Sequence, residues 1–283
     1  MKLPESIKQF QDQFQINYRN LLSVNPKTEK SEVDTRILHL LPHDLSGVNL
    51  CPGAGNCKKV CLHFAGNPTY HANKTSARKR KTLAFLADHD KFMALIVMAI
   101  IYEWHKNGRQ KMAVRLNGTS DIAFEYIQVM ITSDVSNFIL RKFGIDFGPG
   151  GLYQNVFECL QVAGIDVQFY DYTKVKRNWN YCKELNYHLT VSFDGYNNES
   201  NIKIVRDALQ NGVNVAAAFT TKKGKRLPTG LYIPVLGIEH PVYDGDVSDY
   251  RPNDPQGYII GLRFKKPTGT KFEPGDVAKF CIA

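Results

Sequence analysis

The stretch "YHLTVSFDGYNNESNIKIVRDALQNGVNVAAAF" (residues 187–219) contains the pattern that decides the fold. It begins with "YHLTVSFDG", which is rich in the β-branched and aromatic residues of strands and ends at a glycine. "ESNIKIVRDALQNG" follows as a helix that also ends with a glycine, a frequent helix terminator. "VNVAAAF" is a short apolar run, typical of a buried strand. A strand, a helix and a strand in succession predict a parallel βαβ unit.

The same alternation extends over most of the chain. Further strands are predicted at "TRILHLLP" (35–42), "KMAVRLN" (111–117), "DVQFYDYT" (166–173), "LYIPVLG" (231–237) and "GYIIGLRF" (257–264). "LYQNVFECLQVAG" (152–164) predicts a helix between two of them. Six or seven strands alternating with helices predict an α/β fold, as a partial or complete TIM-like (βα) barrel. An open, doubly wound sheet is the alternative.

The N-terminal part of the chain is polar and differs from this pattern. "SIKQFQDQFQINYRNLL" (6–22) is weakly amphipathic and predicts one helix before the polar segment "NPKTEKSE" (25–32). We therefore expect an N-terminal helical extension over residues 1–34 and a single βα barrel-like domain over residues 35–283. The longest apolar run, "FMALIVMAIIY" (92–102), is shorter than the roughly 20 residues of a membrane span. It predicts a buried helix, and we expect no membrane partner.

Three of the six cysteines lie in "NLCPGAGNCKKVCLHF" (49–64), directly after the first predicted strand. Five residues separate Cys51 from Cys57, and three separate Cys57 from Cys61. Thiolates are soft ligands suited to zinc or to iron–sulfur clusters, and three in one short loop can bind the same metal ion or cluster. We favour a four-iron, four-sulfur (4Fe-4S) cluster whose fourth iron is open or takes a distant ligand.

Other residues leave alternatives to this cluster open. His63 or His71 would complete a Cys3His zinc site, and a loop without metal is a third interpretation. Cys159 falls in a predicted amphipathic helix and is expected in the core. Cys182 and Cys281 stay open as distant ligands.

The chain of 283 residues carries a formal net charge of +9, which suits anionic partners such as nucleic acid, phosphates or acidic substrates. The basic run Lys74–Lys81, at the start of a helix predicted over Thr75–Ala87, either neutralises an anionic group or forms a solvated helix face. A second helix is predicted over Lys91–Lys106. Aromatic residues of the stacking kind are not interleaved with the basic run, so nucleic acid is the weaker expectation. No secretory pattern is seen, so we expect a reducing cytoplasm, where clustered cysteines bind metal or act in redox chemistry.

Several predicted strands end in polar or charged residues. In a βα barrel the C-terminal ends of the strands form the active face, so these residues should converge there. The candidates for binding a substrate are Arg115, Asn117, Ser120, Asp121, Asp171, Lys174, Asp194 and Arg251. The competing interpretations are solvated loops and helix caps at Ser120 or Asp121. "DGDVSDYRPNDP" (244–255) predicts a structured loop over the barrel mouth, with Arg251 and Asp254 facing inward.

Three cysteines after the first strand of a βα barrel resemble the radical S-adenosylmethionine enzymes. Their usual motif is Cys-x3-Cys-x2-Cys, and here "RLNGTSD" (115–121) occupies the place of their glycine-rich segment. A closer resemblance is to the phage-encoded gene-88 family of mycobacteriophages. The motifs that carry it are "CPGAGNCKKVC" (51–61), "VRLNGTSDIAFE" (114–125), "FYDYTK" (169–174), "VSFDG" (191–195) and "DGDVSDYRPNDPQGYIIGL" (244–262). This resemblance implies a viral protein made inside an infected bacterium, with an iron–sulfur cluster, and supplies no substrate.

Three functions are therefore expected, in decreasing order. The first is a radical-S-adenosylmethionine-like iron–sulfur enzyme in the cytoplasm of the infected host cell, with an electron donor and with S-adenosylmethionine or a small anionic ligand at the open iron. The second is a non-catalytic iron–sulfur protein for electron transfer or sensing. The third is a zinc-stabilised nucleic-acid-binding protein.

Overall fold

The computed structural model describes residues 2–24, 33–64, 68–233, 237–265 and 272–283. The strands are β1 (Asp34–Ile37), β2 (Met112–Arg115), β3 (Val129–Ile131), β4 (Gly151–Tyr153), β5 (Val167–Thr173), β6 (Tyr187–Ser192), β7 (Val215–Phe219), β8 (Gly230–Ile233), β9 (Ile238–Asp244) and β10 (Ile259–Arg263). The helices are α1 (Glu5–Phe14), α2 (His71–Ala87), α3 (His89–Lys106), α4 (Ser133–Phe143), α5 (Val156–Val162), α6 (Trp179–Glu184), α7 (Glu199–Gln210) and α8 (Pro274–Phe280).

The main sheet has eight strands in the order β1-β2-β5-β6-β7-β10-β9-β8. Its neighbours are parallel except β8 and β9, which pair antiparallel at one edge. Strands β3 and β4 form a separate antiparallel pair. From β1 to β10 the main sheet follows chain order, so each strand is added on the same side of the previous one. Parallel strands end at the same side of a sheet, here called the carboxyl edge.

The expected α/β fold is confirmed as a mainly parallel sheet flanked by helices. A complete barrel is not confirmed, because the described strands leave the sheet open, with β1 at one edge and β8 at the other. The strand order also shows no reversal between β1 and β10, and such a reversal marks the doubly wound alternative.

One face of the sheet is apolar and packs on helices. Val114 of β2 and Phe169 of β5 belong to the same core cluster as α3, whose residues 92–101 are all buried. Helix α3 has no polar face in this stretch, because α1, α2, α4 and α5 pack around it. In the part of the chain that the structure describes, no helix is both long enough and apolar enough to cross a membrane.

The opposite face of the sheet is polar. Side chains alternate along a strand, so Tyr170 and Tyr172 of β5 point away from the face that Phe169 occupies. In register with these tyrosines, β6 places His188 beside Tyr170 and Thr190 beside Tyr172. These four residues, with Ser192 further along β6, define the polar face.

Several element boundaries differ from those predicted. The first helix ends at Phe14, eight residues earlier than expected, because Gln15 adopts a left-handed backbone with φ 51°. The helix predicted over residues 152–164 is wrong at its start, since β4 occupies Gly151–Tyr153 and Asn155 then caps α5 by accepting from the amide of Glu158. The predicted loop 25–32 and residues 234–236 of a predicted strand lie outside the described residues.

The proposed division at residue 34 stays a prediction. Ile7 and Phe10 of α1 are buried in the same core cluster as α3, so the first helix shares the core of the rest of the chain.

The substitution Ile96→Ala should lower the free energy of unfolding by about 2–5 kcal/mol, because the lost methyl groups leave a cavity. Ile96 is fully buried within α3. Urea denaturation followed by circular dichroism measures the change. Ile238→Ala removes the same atoms at a side chain that is 56% exposed, and it should change stability by no more than about 0.5 kcal/mol. Equal losses in the two variants would contradict the burial of α3.

Candidate cofactor site at the cysteine loop

The cysteine loop, residues 49–64, lies at the carboxyl edge of the sheet. The segment after β2 holds its start, because the amide of Asp121 donates to the carbonyl of Leu50 at 2.8 Å. The hydroxyl of Thr119 donates to the carbonyl of Leu40 at 2.5 Å, which joins the segments after β1 and β2. The structure thus brings the loop to the strand ends from which the candidate residues project.

The carboxylate of Asp194 connects the cysteine loop to the end of β6. Its Oδ2 accepts the backbone amide of Asn56 at 2.8 Å, and its Oδ1 accepts that of Cys57 at 2.9 Å. Asn198 donates to Oδ2 at 2.7 Å, and the amide of Asp194 donates to Asn201 at 2.7 Å. Asp194 is completely buried, so these are strong, charge-assisted hydrogen bonds in a site shielded from water.

Two glycines allow the loop to approach the sheet so closely. A Cβ atom on Gly53 would lie 2.6 Å from the carbonyl oxygen of Lys174, closer than atoms can pack. A Cβ atom on Gly55 would collide with the carboxylate of Asp194 and the amide of Asn198. The "PGAG" segment therefore has glycine where the loop backbone lies against β5 and β6.

Burial raises the pKa of all three loop thiols, to about 11 for Cys51, to about 12 for Cys57, and upward for Cys61. The charge of Cys61 also raises the pKa of the other two, so the three sulfurs lie within electrostatic range of one another. The amide of His43 donates to Sγ of Cys51 at 3.2 Å, and the amide of His63 donates to Sγ of Cys61 at 3.4 Å. Such bonds stabilise thiolates and tune bound iron–sulfur clusters.

Three nearby cations lower the pKa of these thiols. Against the effect of burial, Lys174 lowers the pKa of all three cysteines, and Arg78 and Lys74 lower that of the third. The side chains of the basic run at the start of α2 therefore have different environments. Arg78 is buried toward the loop and Lys81 donates to the carbonyl of Leu21 at 2.6 Å, whereas Lys79 is exposed.

The histidine nearest the cysteines already has partners. Arg78 Nη1 lies 2.7 Å from Nδ1 of His63, and the hydroxyl of Thr75 lies 3.4 Å from Nε2. Burial lowers the pKa of His63 to about 4, so its ring is neutral and accepts from Arg78. The ring of His71 is stacked on Phe64 at 5.9 Å. A Cys3His zinc site built on His63 would have to break its contact with Arg78.

The other cysteines lie elsewhere in the fold. Cys159 of α5 and Cys182 of α6 are buried in the core cluster around α3, and Cys281 is buried after α8. Among the described residues, no three His, Cys, Asp or Glu side chains form a group that could hold one metal ion.

The polar residues after β2 support the loop structure. Asn117 accepts from the hydroxyl of Ser120 at 2.9 Å and from the amide of Ile122 at 2.8 Å, which closes a tight turn. Asp171 accepts the amide of Asn117 at 3.1 Å, and burial raises its pKa to about 7. Of the eight candidate residues, Asn117, Ser120 and Asp171 thus hold the backbone together.

Asp121 joins the segment after β2 to the segment after β5. Its carboxylate accepts the amide of Lys174 and the hydroxyl of Thr173, at 2.7 and 2.8 Å. Arg177 donates to it at 2.8 Å and lies 3.4 Å from buried Glu125. Arg177 and Glu125 were missed by sequence reasoning, and the only available signal was the basic run "KVKR" after β5.

The last three candidates approach the polar face or its edge. The guanidinium of Arg115 lies 5.5 Å from the ring centre of Tyr170 and 5.1 Å from that of Tyr172. Arg251 is completely buried and lies 3.0 Å from Asp254, which is also buried. Lys174 donates to the hydroxyl of Ser192.

The fold and the site together define an α/β protein with a half-buried cysteine loop at the carboxyl edge of a mainly parallel sheet. The family model of Gene product 88 matches residues 17–283, so the chain belongs to this phage family, as its motifs indicated. A comparison with curated proteins and one with solved structures give no match.

The substitution Asp194→Asn should loosen the cysteine loop. In the wild type both carboxylate oxygens accept a backbone N–H, whereas in the variant an NH2 group faces one of these N–H donors. We expect a stability loss of about 1–3 kcal/mol and faster alkylation of Cys57 in metal-free protein. Mass spectrometry of iodoacetamide labelling over time measures the rate. Asp134→Asn, at an exposed position of α4, is the matched control. Identical labelling rates in both variants and the wild type would contradict the role of Asp194.

Proposed function

We propose that the protein is an iron–sulfur protein that binds a 4Fe-4S cluster through Cys51, Cys57 and Cys61. One iron stays open for a substrate or cofactor, as in radical S-adenosylmethionine enzymes, and the protein acts in the cytoplasm of the infected host cell. The observation that carries this proposal is the presence of three half-buried thiols on one loop that Asp194 holds beside the sheet.

The chemistry of the loop suits such a group. Two of its sulfurs already accept backbone amides, and Lys174, Arg78 and Lys74 offset the negative charge that three thiolates bring. Thiolates are the usual ligands of such clusters. When bound, the cluster would supply electrons, taken from a cellular donor, for reductive chemistry. The protein's own residues would bury the thiols, keep water from them and place Lys174 beside them.

The strand order supports a partial (βα) barrel around this site. Six parallel strands, β1, β2, β5, β6, β7 and β10, follow chain order as in a barrel, and the cysteine loop follows the first of them. Functional residues of βα barrels lie at the C-terminal ends of the strands. Asp121, Lys174 and Asp194 occupy these positions.

One observation favours a second function, electron transfer or sensing with a closed cluster. His43 donates its backbone amide to Cys51, and it adopts an unusual backbone φ of 39°. Its Nε2 is buried and has no hydrogen-bond partner in the described part of the chain. An imidazole nitrogen left free in this way suits a fourth ligand. A cluster with four protein ligands has no iron for a substrate.

Protein purified without oxygen should be brown and contain about four irons and four sulfides per chain. Replacing Cys51, Cys57 or Cys61 by alanine should abolish the colour and the sulfide, because each supplies one ligand. Cys159→Ala, in the core and away from the loop, should keep both. Iron and sulfide analysis with visible absorption measures the outcome. A colourless, zinc-loaded protein would contradict the proposal and favour the zinc-stabilised nucleic-acid-binding interpretation.

The reduced cluster should change its electron paramagnetic resonance spectrum when S-adenosylmethionine is added, because an open iron offers a ligand position. His43→Ala should leave the spectrum without S-adenosylmethionine unchanged. The opposite pair of results, with no effect of S-adenosylmethionine and an altered spectrum in His43→Ala, would assign His43 as the fourth ligand. The electron-transfer function would then replace the enzymatic one.

A further inference from the structure

We propose that the carboxyl edge beyond β6, β7 and β10 is a surface that binds single-stranded nucleic acid. The segment 220–229, here called the basic loop, would contact the phosphates, and exposed tyrosines beside it would stack with bases. This inference goes beyond the function proposed above, because binding at this surface requires no cluster.

The basic loop carries a concentrated positive charge. Its sequence, "TTKKGKRLPT", contains four cations and no acid. Lys222, Lys223, Lys225 and Arg226 are all exposed. None of the four forms an ion pair with the part of the chain that the structure describes. The loop therefore presents its charge to solvent, where it attracts a polyanion.

The basic loop has a defined structure at the end of the sheet. The amide of Lys225 donates to the carbonyl of Lys222 at 3.1 Å, across a turn in which Gly224 has a φ of 81°. Arg263, the last residue of β10, donates to the carbonyl of Lys225 from Nε at 3.1 Å and from Nη2 at 2.7 Å. Arg263 also pairs with Asp244 and Asp246. The loop, Arg263 and these two acids together keep a net positive charge.

The neighbouring segments do not cancel this charge. The amide of Thr220 donates to the carbonyl of Ile282 at 2.8 Å, which places the end of α8 beside the basic loop. Helix α8 carries one acid and one exposed cation, Lys279, whose carbonyl accepts from Asn56 of the cysteine loop at 3.4 Å. The cysteine loop adds two lysines and no acid. A basic surface therefore extends from the basic loop past α8 to the cysteine loop.

Exposed aromatic residues lie beside these cations. Tyr196, in the segment after β6, is 44% exposed, and Tyr232 of β8 is 55% exposed. The hydroxyl of Tyr196 donates to the carbonyl of Tyr232 at 3.4 Å, so the two residues are neighbours. The buried ring of Phe193 contacts that of Tyr196 edge-on, with ring centres 5.1 Å apart. Gly195 lies so close to the carbonyl of Lys279 that a Cβ atom would collide with it, which brings Tyr196 next to α8.

Cations and exposed rings together indicate the class of partner. Lysines and arginines attract any phosphate backbone, but only unpaired bases can stack on a protein ring, because the bases of a duplex are stacked on one another. An acidic polypeptide would use the cations and leave the tyrosine rings without a role. The basic run Lys74–Lys81 lacks interleaved aromatic residues, whereas the basic loop lies near two exposed tyrosines.

Fluorescence anisotropy with a labelled oligothymidylate of about 16 nucleotides tests the surface. For about four phosphate contacts, the affinity should fall about fiftyfold between roughly 50 and 200 mM NaCl, at a slope of about −0.7 per contact. The double substitution Lys222→Gln and Lys223→Gln should reduce that slope by about half. Lys106→Gln with Lys111→Gln removes the same charge from exposed positions between α3 and β2, at the opposite edge of the sheet, and should keep the wild-type slope.

Tyr196→Leu should weaken binding about fivefold to hundredfold, the usual effect of losing one stacked base, and leave the salt dependence unchanged. Tyr196→Phe keeps the ring and removes only the hydroxyl, so it should bind as the wild type does. Melting temperatures of both variants show whether the fold is retained.

The absence of saturable binding to the wild type would overturn the proposal. So would a salt slope that both lysine double variants reduce equally, or an affinity that Tyr196→Leu leaves unchanged. Equal affinity for a duplex of the same length, or equally effective displacement by polyglutamate, would show that charge alone is recognised and would also overturn it. Iron and sulfide, measured on the same preparations, test the proposed function separately.

Discussion

The contact between the carboxylate of Asp194 and two backbone amides of the cysteine loop determines how the rest of the site is arranged. Asn56 and Cys57 donate to it from a loop that follows β1, more than a hundred residues earlier in the chain. Because Asp194 lies two residues after β6 and is completely buried, the bonds fix the loop beside the carboxyl edge of the sheet. Without this acceptor, two part-buried N–H groups would lose their hydrogen-bond partner.

The division of β5 and β6 into two faces explains why one sheet serves both folding and chemistry. Phe169 and Leu189 pack into the helical core, and this burial supplies the driving force for folding. Tyr170 and Thr190, one residue further along, point the other way and carry no part of that core. In the described part of the chain, the polar face holds buried atoms without hydrogen-bond partners, such as the hydroxyl of Thr190, and burial on the apolar face offsets their cost.

Strand–helix alternation predicted the fold class and most elements, because apolar periodicity is a local property of the sequence. The boundaries at Gln15 and Asn155 were missed, since a left-handed residue and a side-chain cap leave almost no trace in periodicity. The three loop cysteines and Asp194 could be named from their positions relative to strands. The pairing of Arg177 with Glu125 could not, because it depends on side chains that tertiary packing brings together over fifty residues of sequence.

Lys174 is the residue through which the cysteine loop and the polar face interact. Its backbone amide is held by Asp121, and its ammonium group reaches Ser192 on the polar face while acting on the thiols. Three thiolates on one short loop would repel each other. The charge of Lys174 lowers the pKa of all three thiols, so it would offset part of that repulsion.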